Sequence, residues 1–230
     1  DGANEWRGGS GPQSIERCSA KHPLYQAFLQ AGEQSGYVIT DDQNGAIQEG
    51  FHIGQSFTRN GKRCSTADAY LHPIRDRDNL TIVTQTLTRR VLFDGRRAIG
   101  IETETRGSFK NYYASEEIIL SAGAIGSPHL LLLSGVGDSS HLRKHNIPVI
   151  ADIPAVGKNL EDHPIVPIKF SSPDNLSMAH EFRGLRPLAI GLKWLVLKTG
   201  LGSLLMSEAG SFFRSSSDAD YADIQIEFYP

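Results

Sequence analysis

The sequence is poor in the features that mark a covalently stapled fold or a membrane span. It holds two cysteines among 230 residues. Cys18 and Cys64 lie far apart, so they build no short-spaced zinc framework and no disulfide-dense secreted scaffold. That usage fits a reducing compartment. The longest apolar reach, Leu185 to Met206, is broken by Arg186, Lys193 and Lys198, short of the roughly 20 clean residues a transmembrane helix needs. Neither sign of charge dominates. Lys and Arg number 23 against 26 Asp and Glu, for a net charge of −3, without the basic excess that accompanies nucleic-acid binding. Disorder is excluded as well, because 39% of the residues are hydrophobic and supply a core.

Several chemical motifs are missing too. Gly135-Val136-Gly137 begins a dinucleotide fingerprint, but Ser140 replaces its third glycine and a helix end, not a strand, precedes it. Gly200-Leu201-Gly202 fails likewise. There is no phosphate loop ending in Gly-Lys-Ser/Thr and no Gly-x-Ser-x-Gly elbow, so ATPase and α/β-hydrolase readings have no support. No secretory leader is visible. The chain opens at Asp1-Gly2 and closes at Tyr229-Pro230 within a strand-like pattern, and the expectation is a fragment of a longer protein.

What is present reads as mixed helix and strand. Gly8 to Pro12 is a connector. His22-Pro23 opens a helix with Leu24, Phe28 and Leu29 on one face, Ala27 and Ala31 alongside, and Gly36 at its end. Thr40 to Gly61 reads as irregular loop. A short helix over Ala67 to Leu71 takes Ser65 as N-cap and Asp68 as capping-box partner, with Pro73 as its stop. Asn79 to Leu87 is β-branched and Thr-rich. Arg90 to Phe93, Asp94-Gly95 and Arg97 to Thr103 form a hairpin whose turn pair favours type I′. Phe109 to Ala114 is a further strand, and Glu116 to Ser121 resembles a strand buried on both faces.

That last strand runs into Ala122 to Pro128 and then a helix over His129 to Leu133. A strand, a small-residue turn and a helix opening with Pro present backbone N–H groups to an anion or cofactor. Ser139 or Ser140 caps a helix reaching His145, Val149-Ile150 forms a short strand, and Ala155 to Pro164 is loop. Leu185 to Lys198 reads as a core helix in preference to a membrane-surface or partner helix, and Asp223 to Phe228 as a strand. His141 and His145, spaced i,i+4, read as an exposed basic helix end rather than metal ligands. Asp162-His163 reads as a structural histidine rather than an oriented general base.

Gly123 to Gly137 (GAIGSPHLLLLSGVG) resembles the second signature of the glucose–methanol–choline (GMC) flavoprotein oxidoreductases. Asn60 to Ala67 with Tyr70-Leu71, Asn79 to Ile82, Phe93 to Glu102 and Val156 to His163 are similar to further blocks of that family in the same order. Thr40-Asp41-Asp42, Asn44-Gly45 and Gln48-Glu49-Gly50-Phe51 are most like its bacterial choline dehydrogenase and aliphatic alcohol dehydrogenase branch.

The resemblance implies an α/β fold: part of an FAD-binding doubly wound domain interleaved with an antiparallel-sheet substrate domain. Residues 1–163 would be the central part of the FAD domain, with inserted helices and a hairpin, and 164–230 the beginning of the substrate domain. It places the main flavin phosphate loop upstream of Asp1 and the catalytic histidine beyond Pro230. Within the chain it implies Thr88 at the adenine edge, Ser121, Ala122 and Gly123 against the FAD, and Glu208 beside the substrate. Ser211 stands where that last segment often has Gly. The implied reaction of the intact parent is oxidation of a primary alcohol, choline or an aliphatic alcohol, to the aldehyde, with a quinone-type compound or oxygen as electron acceptor. The expected location is cytoplasmic or peripheral to the inner membrane, and the family admits membrane association and oligomers. Two rival readings remain: a non-catalytic fragment or binding module keeping part of an FAD site, and a nicotinamide-dependent dehydrogenase. Cut from its neighbours, the strand Ile118 to Leu120 would be exposed, so the isolated chain is expected to be poorly soluble or oligomeric.

Overall fold

A computed structural model describes residues 2–171 and 176–230. In chain order the longer elements are α1 (Pro23–Gln34), β1 (Gly50–Ile53), β2 (Leu87–Asp94), β3 (Arg97–Thr105), β4 (Ser108–Tyr113), α2 (Gly123–Leu133), α3 (Ser139–Lys144), α4 (Arg186–Leu197), β5 (Ala209–Phe213) and β6 (Ile224–Phe228). The chain divides into two compact units. One joins Asp1–Leu80 to Lys169–Pro230, and the other is Thr81–Ile168.

The first unit is built on an antiparallel sheet in the order β6-β5-β1. Ser211 lies opposite Phe51 on one side and Ile226 on the other. Helix α1 packs on this sheet. Its N-cap is His22, whose Nδ1 accepts from the Leu24 N–H at 3.3 Å, and Pro23 fills the first turn, where no N–H is needed. The expected face is met in part: Leu24, Phe28 and Leu29 are half-buried, but the buried residues are Tyr25 and Gly32, and Ala27 and Ala31 are exposed. Ring packing decides the rotation. Phe28 stacks on Phe228 at 4.7 Å and meets Phe51 at 4.8 Å, and Tyr25, 1% exposed, meets the edge of Phe228 and donates to the Met206 carbonyl at 2.9 Å. Gly32 lets the Phe51 ring lie against the helix; a Cβ there would come within 2.5 Å of it.

The stretch expected as loop from Thr40 to Gly61 contains β1. It also holds two-residue pairings of Gln55–Ser56 with Glu16–Arg17 and of Thr58–Arg59 with Lys62–Arg63. Flanking glycines hide the four-residue strand, whose ladder partner β5 lies far along the chain. The Ser65–Asp68 capping box forms reciprocally, with Ser65 N–H to Asp68 Oδ2 at 3.1 Å and Asp68 N–H to Ser65 Oγ at 3.2 Å. Pro73 does not stop the helical segment. It sits inside a tighter turn, His72–Ile74, that continues directly from Ala67–Leu71.

Helix α4 overturns the core-helix expectation, since none of its residues is buried. It leans inward through Trp194, whose indole N–H donates to the Gly61 carbonyl at 2.8 Å. Gly61, at φ +68, faces the Lys198 carbonyl at the helix end so closely that no Cβ fits between them.

The second unit holds an antiparallel sheet in the order β2-β3-β4. Its first hairpin turns at Gly95-Arg96 rather than Asp94-Gly95, because Asp94 pairs with Arg97. Of the two tip residues only Gly95 has positive φ, so the turn lacks the double positive φ of type I′. Ladder pairing starts at Leu87, not Asn79. No strand among the described residues pairs with 81–86, and Gln85 interrupts that run at φ +54. Glu116 to Ser121 is likewise unpaired, and Ile119 is 75% exposed.

Helix α2 starts at Gly123, so the expected small-residue turn is itself helical and Pro128 lies inside the helix. Its C-terminal end is fastened to β2. The Ser134 hydroxyl donates to the Leu130 carbonyl at 2.5 Å and accepts from the Val91 N–H at 2.8 Å. Asp138, rather than either serine, caps α3 by accepting from the His141 N–H at 2.9 Å. The short strand expected at Val149-Ile150 forms at Ala151–Asp152, parallel to Val136–Gly137.

Candidate functional site

Two sets of residues carry chemistry, one in each unit. In the first unit the site is organised by Glu208, which precedes β5 and is 3% exposed. Its backbone carbonyl accepts from the Gly54 N–H at 2.8 Å, which ties it to the end of β1. The carboxylate accepts from the Ser19 N–H at 3.2 Å and the Ser19 hydroxyl at 3.3 Å. Both donors are neutral, so a buried negative charge is held without being neutralised by them, a strong attractor for a cation. Its field reaches the neighbours. Burial, reinforced by the Glu208 charge, pushes the Cys18 thiol up to about 11, so Cys18 stays protonated and is a poor nucleophile.

His52 lies on β1 directly opposite Gly210. It is 5% exposed, its ring stacks on Phe212 at 5.3 Å, and its Nδ1 has no hydrogen-bond partner. Burial, with the Arg17 charge second, lowers its pKa to about 4. The imidazole is therefore neutral at ordinary pH, with one ring nitrogen free to hydrogen-bond. The Ser211 hydroxyl is also buried without a partner. Neither His52 nor Ser19 is marked by any local sequence pattern; both matter through register with strands distant in sequence.

In the second unit, Ser121, Ala122 and Gly123 are exposed at the start of α2. Gly123 has φ +83, and the space beside its Cα is open. Ala122 provides no side-chain cap, and its own N–H donates to Ser127 Oγ at 2.9 Å. An uncapped eleven-residue helix behind small exposed residues allows close backbone approach by an anionic or flat group. Beside it is an open cavity of about 650 Å³, lined along α2 by Ala124, Ile125, Pro128 and His129 and on its far side by the 157–161 loop. Thr88 is half-buried on the edge strand β2, opposite Thr103 and next to a register shift. It belongs to the same unit as Ser121, Ala122 and Gly123, while Glu208 belongs to the other.

The His141 and His145 rings meet edge-on at 4.8 Å, and among the described residues no group of three metal-ligating side chains forms. His163 and Asp162 are almost fully exposed, with 4.0 Å between Nδ1 and Oδ1. Among the described residues no helix is long and apolar enough to cross a membrane.

Residues 10–165 match the family model described as GMC oxidoreductase. Over 229 residues the chain is 47% identical to the mitochondrial choline dehydrogenase of Mus musculus, matching all of this chain and 38% of that protein. It is 40% identical to the oxygen-dependent choline dehydrogenase of Brucella suis biovar 1 (strain 1330), covering 42% of that protein. The chain thus spans about two fifths of the length of these relatives. Among solved structures, an FAD-dependent oxidoreductase from Chaetomium thermophilum superposes with a TM-score of 0.81 at 25% identity, over 92% of this chain and 38% of the other.

Proposed function

Because the chain belongs to the GMC oxidoreductase family, we propose that it is the central part of an FAD-dependent enzyme oxidising a primary alcohol to the aldehyde, with choline as the favoured substrate. FAD would supply the hydride acceptor. The residues present fit such a group. Ser121, Ala122 and Gly123 are exposed at an uncapped helix start, and Thr88 lies on β2, which among the described residues pairs with β3 alone, suited to meeting the adenine edge through its backbone. In this reading residues 1–163 serve the doubly wound FAD domain and 164–230 begin the substrate domain, with the β6-β5-β1 sheet joining one strand of the first stretch to two of the second. The electron acceptor is a quinone-type compound or oxygen, and no residue of this chain is assigned the proton transfer.

The observation that carries the choice of choline is the buried carboxylate of Glu208, held by two neutral donors from Ser19. A carboxylate in a dry site favours a quaternary ammonium over a neutral alkyl chain. The similarity to choline dehydrogenases supports the same choice. The test is an anaerobic titration of the purified protein, in its longest natural form, followed by its flavin absorbance. Choline is expected to bleach the band, and Glu208→Gln to raise the choline concentration required by at least tenfold while leaving a neutral alcohol unaffected. Bleaching by medium-chain alcohols and not by choline overturns the substrate; a protein that takes up no FAD overturns the reading.

A further inference from the structure

Ser19 stands in a turn that the fold pins on both sides. The residue before it, Cys18, donates its N–H to the Gly54 carbonyl at 2.9 Å, which joins the segment to the end of β1. The residue after it, Ala20, is 1% exposed in a cluster with Tyr25 and Ala209. The Ala20 carbonyl accepts from the Gln26 side chain of α1 at 3.3 Å. Ala20 has φ +45, a left-handed conformation that a residue with a Cβ adopts only at a cost. Beside this kink the Ser19 N–H and hydroxyl both reach one carboxylate oxygen, Glu208 Oε1, at 3.2 and 3.3 Å. Glu208 Oε2 is met only by the same hydroxyl, at 3.5 Å. A carboxylate accepts through both oxygens, so the second keeps its capacity for another partner. Arg17, two residues before Ser19, pairs with Asp41 at 3.7 Å.

We propose that Ser19 is the positioning residue of a cation subsite: it holds Glu208 Oε1 so that Oε2 meets the quaternary ammonium of the substrate, and so sets the preference for choline over a neutral alcohol. The proposal rests on Glu208 as the cation-binding group. Neutral donors fix the carboxylate without cancelling its charge, as a lysine or arginine in their place would. A buried carboxylate robbed of a donor turns to water or takes up a proton, and either change withdraws its charge from the ligand. Ser19 is itself exposed, so removing its hydroxyl opens no cavity, and the backbone N–H still reaches Oε1.

The experiment compares Ser19→Ala and Ser19→Thr with the unaltered protein, each in its longest natural form with FAD bound. Choline oxidation gives kcat and KM. Two further ligands are measured by calorimetry: tetramethylammonium, which has the charge and no hydroxyl, and 3,3-dimethyl-1-butanol, the neutral isostere of choline. Ser19→Ala is expected to raise the choline KM and to weaken tetramethylammonium by about tenfold each. Its kcat and its affinity for the neutral isostere should stay unchanged, the pattern of lost uniform binding. Ser19→Thr, which keeps the hydroxyl, should restore both constants. An unchanged or lowered choline KM in Ser19→Ala overturns the proposal. Equal weakening of the charged and neutral ligands, or a loss that follows a fall in flavin content or melting temperature, overturns it too, because the serine is then structural. Glu208→Gln separates the two levels of the argument. If it binds tetramethylammonium as well as the unaltered protein does, Glu208 holds no cation and the choline reading falls together with the role of Ser19. If it loses that binding while Ser19→Ala keeps it, only the role of Ser19 falls.

Discussion

Helices α1 and α4 have the same length, belong to the same compact unit and both open with a proline in the first turn. By composition α4 is the more apolar, with leucine or valine at five of its twelve positions, while α1 carries three glutamines and a glutamate. Yet α1 buries Tyr25 and Gly32, and α4 buries no residue. What differs is the surface each meets. Helix α1 lies on a sheet whose aromatic side chains, Phe51 and Phe228, fit around Phe28 and into the space left by Gly32. Helix α4 is held by Trp194, which donates to the Gly61 carbonyl, and by Arg186, which donates to the His180 carbonyl and pairs with Glu181, and it leaves its leucines exposed. Apolar content states that a surface gains by being covered; the shape of the neighbouring surface decides whether this chain does the covering.

The sharpest way to break this contrast is Tyr25→Ala, expected to cost about 3–5 kcal/mol in urea unfolding, in line with other buried aromatic truncations. A loss below 1 kcal/mol would mean that α1 is no better anchored than α4. Next comes Gly32→Ala. In an exposed helix that exchange stabilises, but here the added methyl meets the Phe51 ring, and a loss of about 1–3 kcal/mol is expected; a raised melting temperature would show the helix free to shift.

Acid probes the same sheet through His52. Its folded pKa of about 4 lies below the ordinary 6.5, so as pH falls the unfolded chain binds a proton that the folded chain refuses. Stability should therefore decline from pH 6.5 toward 4 and level off below, with His52→Gln flattening that part of a melting-temperature profile. An unchanged slope in the variant would assign the acid sensitivity elsewhere. The smallest effect is expected from Leu192→Gln on α4, within about 0.5 kcal/mol, and a larger loss would show that the leucine face is covered.

How much was legible in the sequence follows the same division between local and distant causes. The start of α1 could be read because His22 and Pro23 act within one turn, and the Ser65–Asp68 box because its partners are three residues apart. The hairpin was placed to within a residue of its tip, since Gly95 fixes the positive φ wherever the flanking register falls. Strand β1 was missed because its reason for being extended is β5, and nothing between Thr40 and Gly61 announces that pairing. Glu116 to Ser121 has the composition of a buried strand, but burial needs neighbours and composition does not supply them. The likeness to GMC enzymes singled out Glu208 and Ser121 to Gly123. It did not indicate that Ser19 would hold the Glu208 carboxylate or that His52 would be buried neutral beside Phe212, since both depend on register between distant strands.

Inheritable change reaches α4 by an indirect route. Its leucines are exposed among the described residues, so a drifting sequence can exchange them with little penalty to the packing of this unit and retune what the helix touches. Position 61 has no such latitude: every residue except glycine collides with the Lys198 carbonyl and displaces the Trp194 acceptor. In a saturation library, then, the helix itself should accept a broad spectrum of substitutions, while a single position far upstream, outside the helix, rejects nearly all of them.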